Sequence, residues 1–314
     1  DLSTCKVGQC KYVFLTDEAG GILNDPVLLR LGENHFWLSL ADSDILLWAR
    51  GVAYRTGFDV QIREADVGPL QVQGPLSAAV MRDLFGDGVL DVPYYYLRHF
   101  EIDGIQVVVS RTGYTAELGY EIYVMDASRN AMRMWDLIWQ AGAPHGMKVI
   151  GPCHMRRIEG GILAHGCDIT FDTNPFEVGM GYDWMVSLDK DTDFIGKAAL
   201  QRIKAEGPRR KLAGVQIGGA ALGTFNDGSM IDPYPVTFDG QRVGEVTSAC
   251  HSPRLEQNIG YAMLPVALTE VGTTVQVDTG AALVDAVVVP KPFIDPTKDQ
   301  PKQDVHNLAG AGAP

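Results

Sequence analysis

Asp172-Thr-Asn-Pro-Phe-Glu-Val-Gly-Met180 places a single acid after Asp172, Glu177, in a turn framed by Pro175 and Gly179. Proline fixes φ and glycine admits conformations closed to other residues, so this backbone is a rigid rim rather than a tether. The run before it, Gly160-Gly-Ile-Leu-Ala-His165, and the run after it, Tyr182 to Leu188, read as core elements that pin the turn from both sides. A carboxylate held in this way can accept two parallel N–H donors, the pattern of a flat, amide-like ligand edge. The competing reading is a local cap or ion pair, the commoner fate of a loop glutamate.

Working outward, the 314 residues suffice for about two to three compact units, with 46% apolar and 21% charged content. No apolar run reaches the roughly 20 residues of a membrane span, and no charged-then-apolar leader opens the chain. The five cysteines (Cys5, Cys10, Cys153, Cys167, Cys250) are odd in number, scattered and without a Cys-x-x-Cys pair. That argues against a disulfide framework and a zinc site, and for a reducing cytoplasm. A net charge of −13 without a basic stripe disfavours nucleic acid as a partner. His154, His165 and His251 match no metal spacing and read as structural.

In chain order, strands are expected over residues 12–16, 27–31 and 35–40, then a helix over 45–55 capped by Asp42 or Ser43 and stopped at Gly57. Further strands are expected over 59–62 and 69–73, followed by a helix opened by Gly74-Pro75 and closed at Gly86. Strands over 100–102, 106–110 and up to Val124 precede an amphipathic helix stopped at Gly142, in which Trp135 and Trp139 are expected to face the core. Helices are expected near 152–158 and 196–205. From Lys211 onward short alternating segments, broken by Asp239-Gly240 and Thr279-Gly280, predict a β-barrel or sandwich. The Pro- and Lys-rich end of the chain is expected to fray.

Several blocks together carry a resemblance. Asn174-Pro-Phe-Glu-Val-Gly179 is followed by Asp193-Phe-Ile-Gly-Lys-Ala-Ala-Leu200. Ahead of them stand Tyr12, Gly20-Gly-Ile-Leu-Asn-Asp25 and Arg111-Thr-Gly-Tyr-Thr-Ala-Glu-Leu-Gly-Tyr-Glu-Ile122; behind them stand Gly244-Glu-Val-Thr-Ser248 and Ser252-Pro253. The pattern resembles the glycine-cleavage T-protein (aminomethyltransferase) superfamily over nearly the whole chain, and most resembles the tetrahydrofolate-dependent dimethylsulfoniopropionate demethylases. The resemblance implies an α+β, multi-domain, T-protein-like folate-binding fold with a C-terminal β-barrel domain. The expected division is a folate-binding domain over 1–207, lacking an N-terminal segment, a barrel over 208–292 and a tail over 293–314.

The same resemblance implies tetrahydrofolate as methyl acceptor, with Glu177 on the pterin edge and Tyr12, Asn24, Asp25, Tyr114 and Tyr182 around the reacting nitrogen. Asn24 departs from the T-protein pattern, which has its catalytic aspartate there; asparagine takes up no proton. An aminomethyl donor needs that carboxylate as its leaving group departs, whereas a sulfonium already leaves as a neutral thioether. The Gly151-Pro-Cys-His154 turn and the Gly218–Phe225 loop, which lacks the T-protein's arginine, also depart. Demethylation of a small sulfonium compound is therefore the expected activity. The alternatives are the glycine-cleavage aminomethyltransferase and a non-catalytic folate-binding regulatory protein. Sulfonium cations favour aromatic faces, and Tyr94, Tyr95, Tyr96, Trp37 and Trp184 are candidates, with Tyr95, Trp37 and Trp184 preferred. Arg111 and Arg157 are the cations expected for the folate tail or the substrate carboxylate. The expected partner is a small-molecule methyl donor, with no membrane involvement; a homodimer is allowed.

Overall fold

The computed structural model describes residues 2–40, 45–151, 153–223 and 233–309. Its first half runs β1 (Cys10–Tyr12), β2 (Leu15–Thr16), β3 (Ile22–Asn24), β4 (Val27–Gly32), β5 (His35–Ser39), α1 (Ile45–Thr56), β6 (Val67–Gln73) and α2 (Ser77–Phe85). There follow β7 (Leu97–Ile102), β8 (Ile105–Ser110), β9 (Gly119–Met125), α3 (Ala127–Gly142), α4 (His154–Glu159) and α5 (Lys197–Glu206). The last part comprises β10 (Arg210–Ile217), β11 (Tyr234–Phe238), β12 (Gln241–Ser252), β13 (Gln257–Pro265), β14 (Thr274–Asp278), β15 (Leu283–Val289) and α6 (Val305–Ala309). The expected caps at Asp42 or Ser43, together with Pro152, Phe225 and the final residues 310–314, lie outside the described residues.

Strands β1, β4 and β5 form one antiparallel sheet, in which Tyr12 lies opposite Val27. A four-stranded sheet ordered β6-β9-β8-β7 packs one face on α2 and α3 and the other, through Leu97, Val108 and Tyr123, on Cys10 and Leu29. The fold is mixed α and β, and its six last strands close into a barrel ordered β10-β13-β12-β11-β14-β15. Alternation in sequence is what closes it. In β14, Val275 and Val277 point into the barrel core while Thr274, Gln276 and Asp278 face water. A further cluster joins the two parts, with Ile22, Ile158, Leu163, Ile169 and Val178 packed on Leu212, Ile259, Tyr261 and Met263 of the barrel.

The structure corrects three expectations. In α3 the buried stripe is Met134, Ile138 and Gly142, whereas Trp135 and Trp139 stand 42% and 41% exposed. Both rows repeat at i, i+4, and indole bulk does not say which row meets the sheet. Residues 59–62 form no strand and are largely exposed, since no neighbouring strand is there to pair with them. Residues 293–309 do not fray. The guanidinium of Arg111 donates through Nη2 to the carbonyls of Pro301 (3.0 Å) and Gln303 (2.8 Å), and Val305, 2% exposed, completes the core under α2. Among the described residues no helix is long and apolar enough to cross a membrane.

Candidate active site

The sequence blocks singled out above meet in space. The N–H of Ile22 donates to the carbonyl of Thr173 at 2.8 Å, and a Cβ at Gly21 would stand 2.2 Å from the Phe171 carbonyl oxygen. Only glycine therefore allows the β2–β3 turn to lie against the loop that carries Glu177. Thr16 Oγ1 donates to the Ile195 carbonyl at 2.6 Å, which ties the Phe-Ile-Gly-Lys block to the same hairpin.

At the centre Tyr12 donates its hydroxyl to Asp25 Oδ2 at 2.7 Å. Burial pushes the Asp25 carboxyl up to about 6, against the Tyr12 hydrogen bond and the field of His165, which both lower it. Tyr12 itself is driven well above the ordinary tyrosine value by burial and then by Asp25, with Tyr95 and Tyr114 adding in the same direction. Asn24 is fully buried, and its Oδ1 accepts the backbone N–H of Asp25 at 2.9 Å, so the amide fixes the orientation of the acid beside it. Tyr114 donates to the Leu163 carbonyl at 3.2 Å. The Nε2 of His165, whose ring packs edge-on to Phe171, is buried without a hydrogen-bond partner.

Behind this cluster lies Asp168, whose charge raises the pKa values of Asp25, Tyr114, Tyr261 and Lys291 alike. Arg157, 1% exposed, pairs with Asp168 Oδ2 at 2.5 Å and donates to Ser248 Oγ at 2.7 Å. Both Thr247 and Ser248 donate to Asp168 Oδ1 at 2.6 Å. Neighbours in a regular strand face opposite ways; here a β-bulge between Val246 and Ser248 turns both hydroxyls onto one acceptor. Gly260 makes room for it, because a Cβ there would lie 2.4 Å from the Ser248 carbonyl oxygen. Arg157 is thus consumed by the interior and cannot serve as the cation for a ligand's tail, which corrects the expectation for it.

Lys291, just past β15, was not singled out in the sequence. Its Nζ lies 5.4 Å from the centre of the Tyr261 ring, and among the described residues it has neither a hydrogen-bond acceptor nor an ion-pair partner. Burial pulls its pKa down to about 8, opposed by Asp168. A Cβ on Gly179, in the Glu177 turn, would sit 3.8 Å from this Nζ. The only sequence signal was a lysine between prolines directly after an apolar barrel strand.

The other expected residues divide. Glu177 takes the local partners of the competing reading: Oε1 accepts Arg210 Nε at 2.9 Å and Oε2 accepts the Asn174 N–H at 3.1 Å. Each oxygen has one such partner and can accept a second. Tyr182 and Trp184 stack at 5.5 Å, but they are 52% and 76% exposed, so Trp184 does not line the interior as expected. Trp37 packs on Tyr123 across the two sheets, in the apolar cluster that Tyr95 also joins. Arg111 holds the end of the chain instead of facing Glu177. Tyr12, Asn24, Asp25, Tyr95 and Tyr114 are brought together.

Comparison with known proteins gives the class first. Residues 1–190 match the GCVT N-terminal domain and residues 210–295 the glycine cleavage T-protein C-terminal barrel domain. The chain is 37% identical over 279 residues to the dimethylsulfoniopropionate demethylase of Ruegeria pomeroyi, covering 89% of this chain and 74% of that one. It is 32% identical over 303 residues to an aminomethyltransferase of Bacillus cereus, covering 95% and 80% respectively. Its fold matches the glycine cleavage system aminomethyltransferase T from Bartonella henselae with a TM-score of 0.76 at 24% identity, covering 94% of this chain and 79% of that one. The chain belongs to the glycine-cleavage T-protein family.

Tetrahydrofolate is the cofactor that membership in this family implies, and the residues present fit it. A ring with N–H donors would meet the Asp25 carboxylate and the His165 Nε2, orphaned among the described residues, with Tyr12, Tyr95 and Tyr114 around them.

Proposed function

We propose that this protein demethylates a small sulfonium carboxylate of the dimethylsulfoniopropionate type, passing the methyl group to tetrahydrofolate. When bound, tetrahydrofolate supplies a nucleophilic nitrogen, N5, as the acceptor. Asp25 is the observation that carries the reading: one carboxylate, ionised above about pH 6, set among Tyr12, Tyr95 and Tyr114. A carboxylate and aromatic faces together stabilise a sulfonium, at about 0.5 to 2 kcal/mol per well-placed ring. To the same carboxylate we assign the proton that the acceptor nitrogen would release on gaining its methyl. Asn24 adds no acid; it orients Asp25 through the backbone. Lys291 is the cation we assign to the carboxylate of the donor, and Glu177 the acid we assign to the pterin edge.

The test is to incubate the purified protein with tetrahydrofolate and dimethylsulfoniopropionate and assay 5-methyltetrahydrofolate. Formation of the methylated folate is the expected outcome. The similarity to aminomethyltransferases over 95% of the chain supports a second reading, glycine cleavage. Ammonia release from aminomethyl-lipoyl protein, without demethylation, would establish that reading instead. Folate binding without transfer from either donor would favour a non-catalytic role.

A further inference from the structure

A cavity lined by charged side chains, distinct from the Asp25 cluster, lies where the end of the chain returns to the four-stranded sheet. It is an open groove of about 500 Å3, lined by residues 90–93, Arg98, Arg111 and residues 302–306. Arg111 is the central wall. The residue is 6% exposed, its Nε has no hydrogen-bond partner, and no carboxylate among the described residues lies within ion-pair distance of it. Its partners are the two carbonyls of Pro301 and Gln303. Close by, Tyr120 is fully buried, with its hydroxyl also unpartnered among the described residues.

A buried cation without a carboxylate in contact is expensive, and orphaned buried donors add to the cost. The walls relieve it only in part, through Asp304 acting on Arg111 from beyond ion-pair distance. Asp91 is shared by Arg98 (3.7 Å) and His306 (3.4 Å), and Asp304 accepts the His306 N–H and the Asn307 amide. With histidine neutral, Arg98, Arg111 and Lys302 outnumber Asp91 and Asp304, a local excess of positive charge on a chain of net charge −13. A guanidinium presents a fork suited to two oxygens of one ligand group, and Lys302, whose Nζ donates to the Thr297 carbonyl at 3.0 Å, adds a point charge.

We propose that this cavity binds a small oxyanion, a carboxylate or a phosphate, received by Arg111, Arg98 and Lys302. The bound anion supplies a counter-charge in direct contact with Arg111 and bridges residues 301–306 to the sheet, so it fastens the end of the chain in place.

The experiment titrates sodium phosphate, and separately sodium succinate, into the full chain by calorimetry at constant ionic strength, with chloride as the control. Limited proteolysis of the segment after residue 293 runs in parallel. One-site saturable binding of either anion is expected, with slower cleavage at saturation; which anion saturates names the source. Lys302→Gln and Arg98→Gln, both on the cavity rim, are expected to weaken binding about five- to tenfold each. Arg111→Lys should abolish it, and if that variant fails to fold the two rim variants still decide. Absence of saturable heat up to about 10 mM of both anions, or rim variants that bind like the parent, would overturn the proposal. Neither outcome depends on methyl transfer.

Discussion

Two aspartates of one chain, Asp168 and Asp25, are buried in contrasting ways. Asp168 accepts from Arg157, Ser248, Thr247 and the Ala164 N–H, so its charge is matched on every side. Asp25 has the Tyr12 hydroxyl and a backbone fixed by Asn24, and burial pushes its pKa up to about 6. The first arrangement locks a charge and the second leaves one adjustable near neutral pH. A saturated carboxylate builds the junction between sheet domain and barrel; an under-satisfied one beside tyrosine faces is equipped for chemistry.

The contrast can be broken from either side. Asp168→Ala strands Arg157 in the interior and should cost about 3–5 kcal/mol of stability in urea unfolding; a shift near zero would mean that the pair is not structural. Asp25→Asn should leave that stability nearly intact while lowering kcat/KM about 10²–10⁴-fold. In the parent, Asp25 loses its charge as pH falls through about 6 and Lys291 loses its charge as pH rises through about 8. The kcat/KM profile should therefore be a bell with those limbs, and Asp25→Asn should erase the acid one. Glu177→Ala should weaken tetrahydrofolate binding by about 2–4 kcal/mol in calorimetry, and unchanged affinity would remove its assigned role. Smallest, Lys291→Met should raise KM about tenfold for a carboxylate-bearing donor and flatten the alkaline limb. An unchanged KM would move the donor's anchor elsewhere.

The barrel was legible because each strand buries alternate residues, as Val275 and Val277 do, between turns marked by glycine. The Tyr12 and Asp25 pairing was legible as a motif, through Gly20-Gly-Ile-Leu-Asn-Asp25. What stayed hidden depends on contacts far apart in sequence. Arg157 was read as a ligand cation because nothing near it reveals a partner 11 residues on, itself held by two hydroxyls 79 and 80 residues farther along. The bulge that aims those hydroxyls breaks the period-two rule by which strands are read. Arg210, the partner of Glu177, lies 33 residues from it, at the first residue of β10. Trp135 and Trp139 misled because side-chain size stood in for direction.

Val305 sits among Val80, Met81, Ile105 and Val107, inside the hydrophobic centre that the first half of the chain assembles. A ribosome making this protein must pass the entire barrel before that centre receives its last side chain. The earlier half therefore waits, incompletely sealed, until the later half has been synthesised, and chaperone demand should peak in that interval.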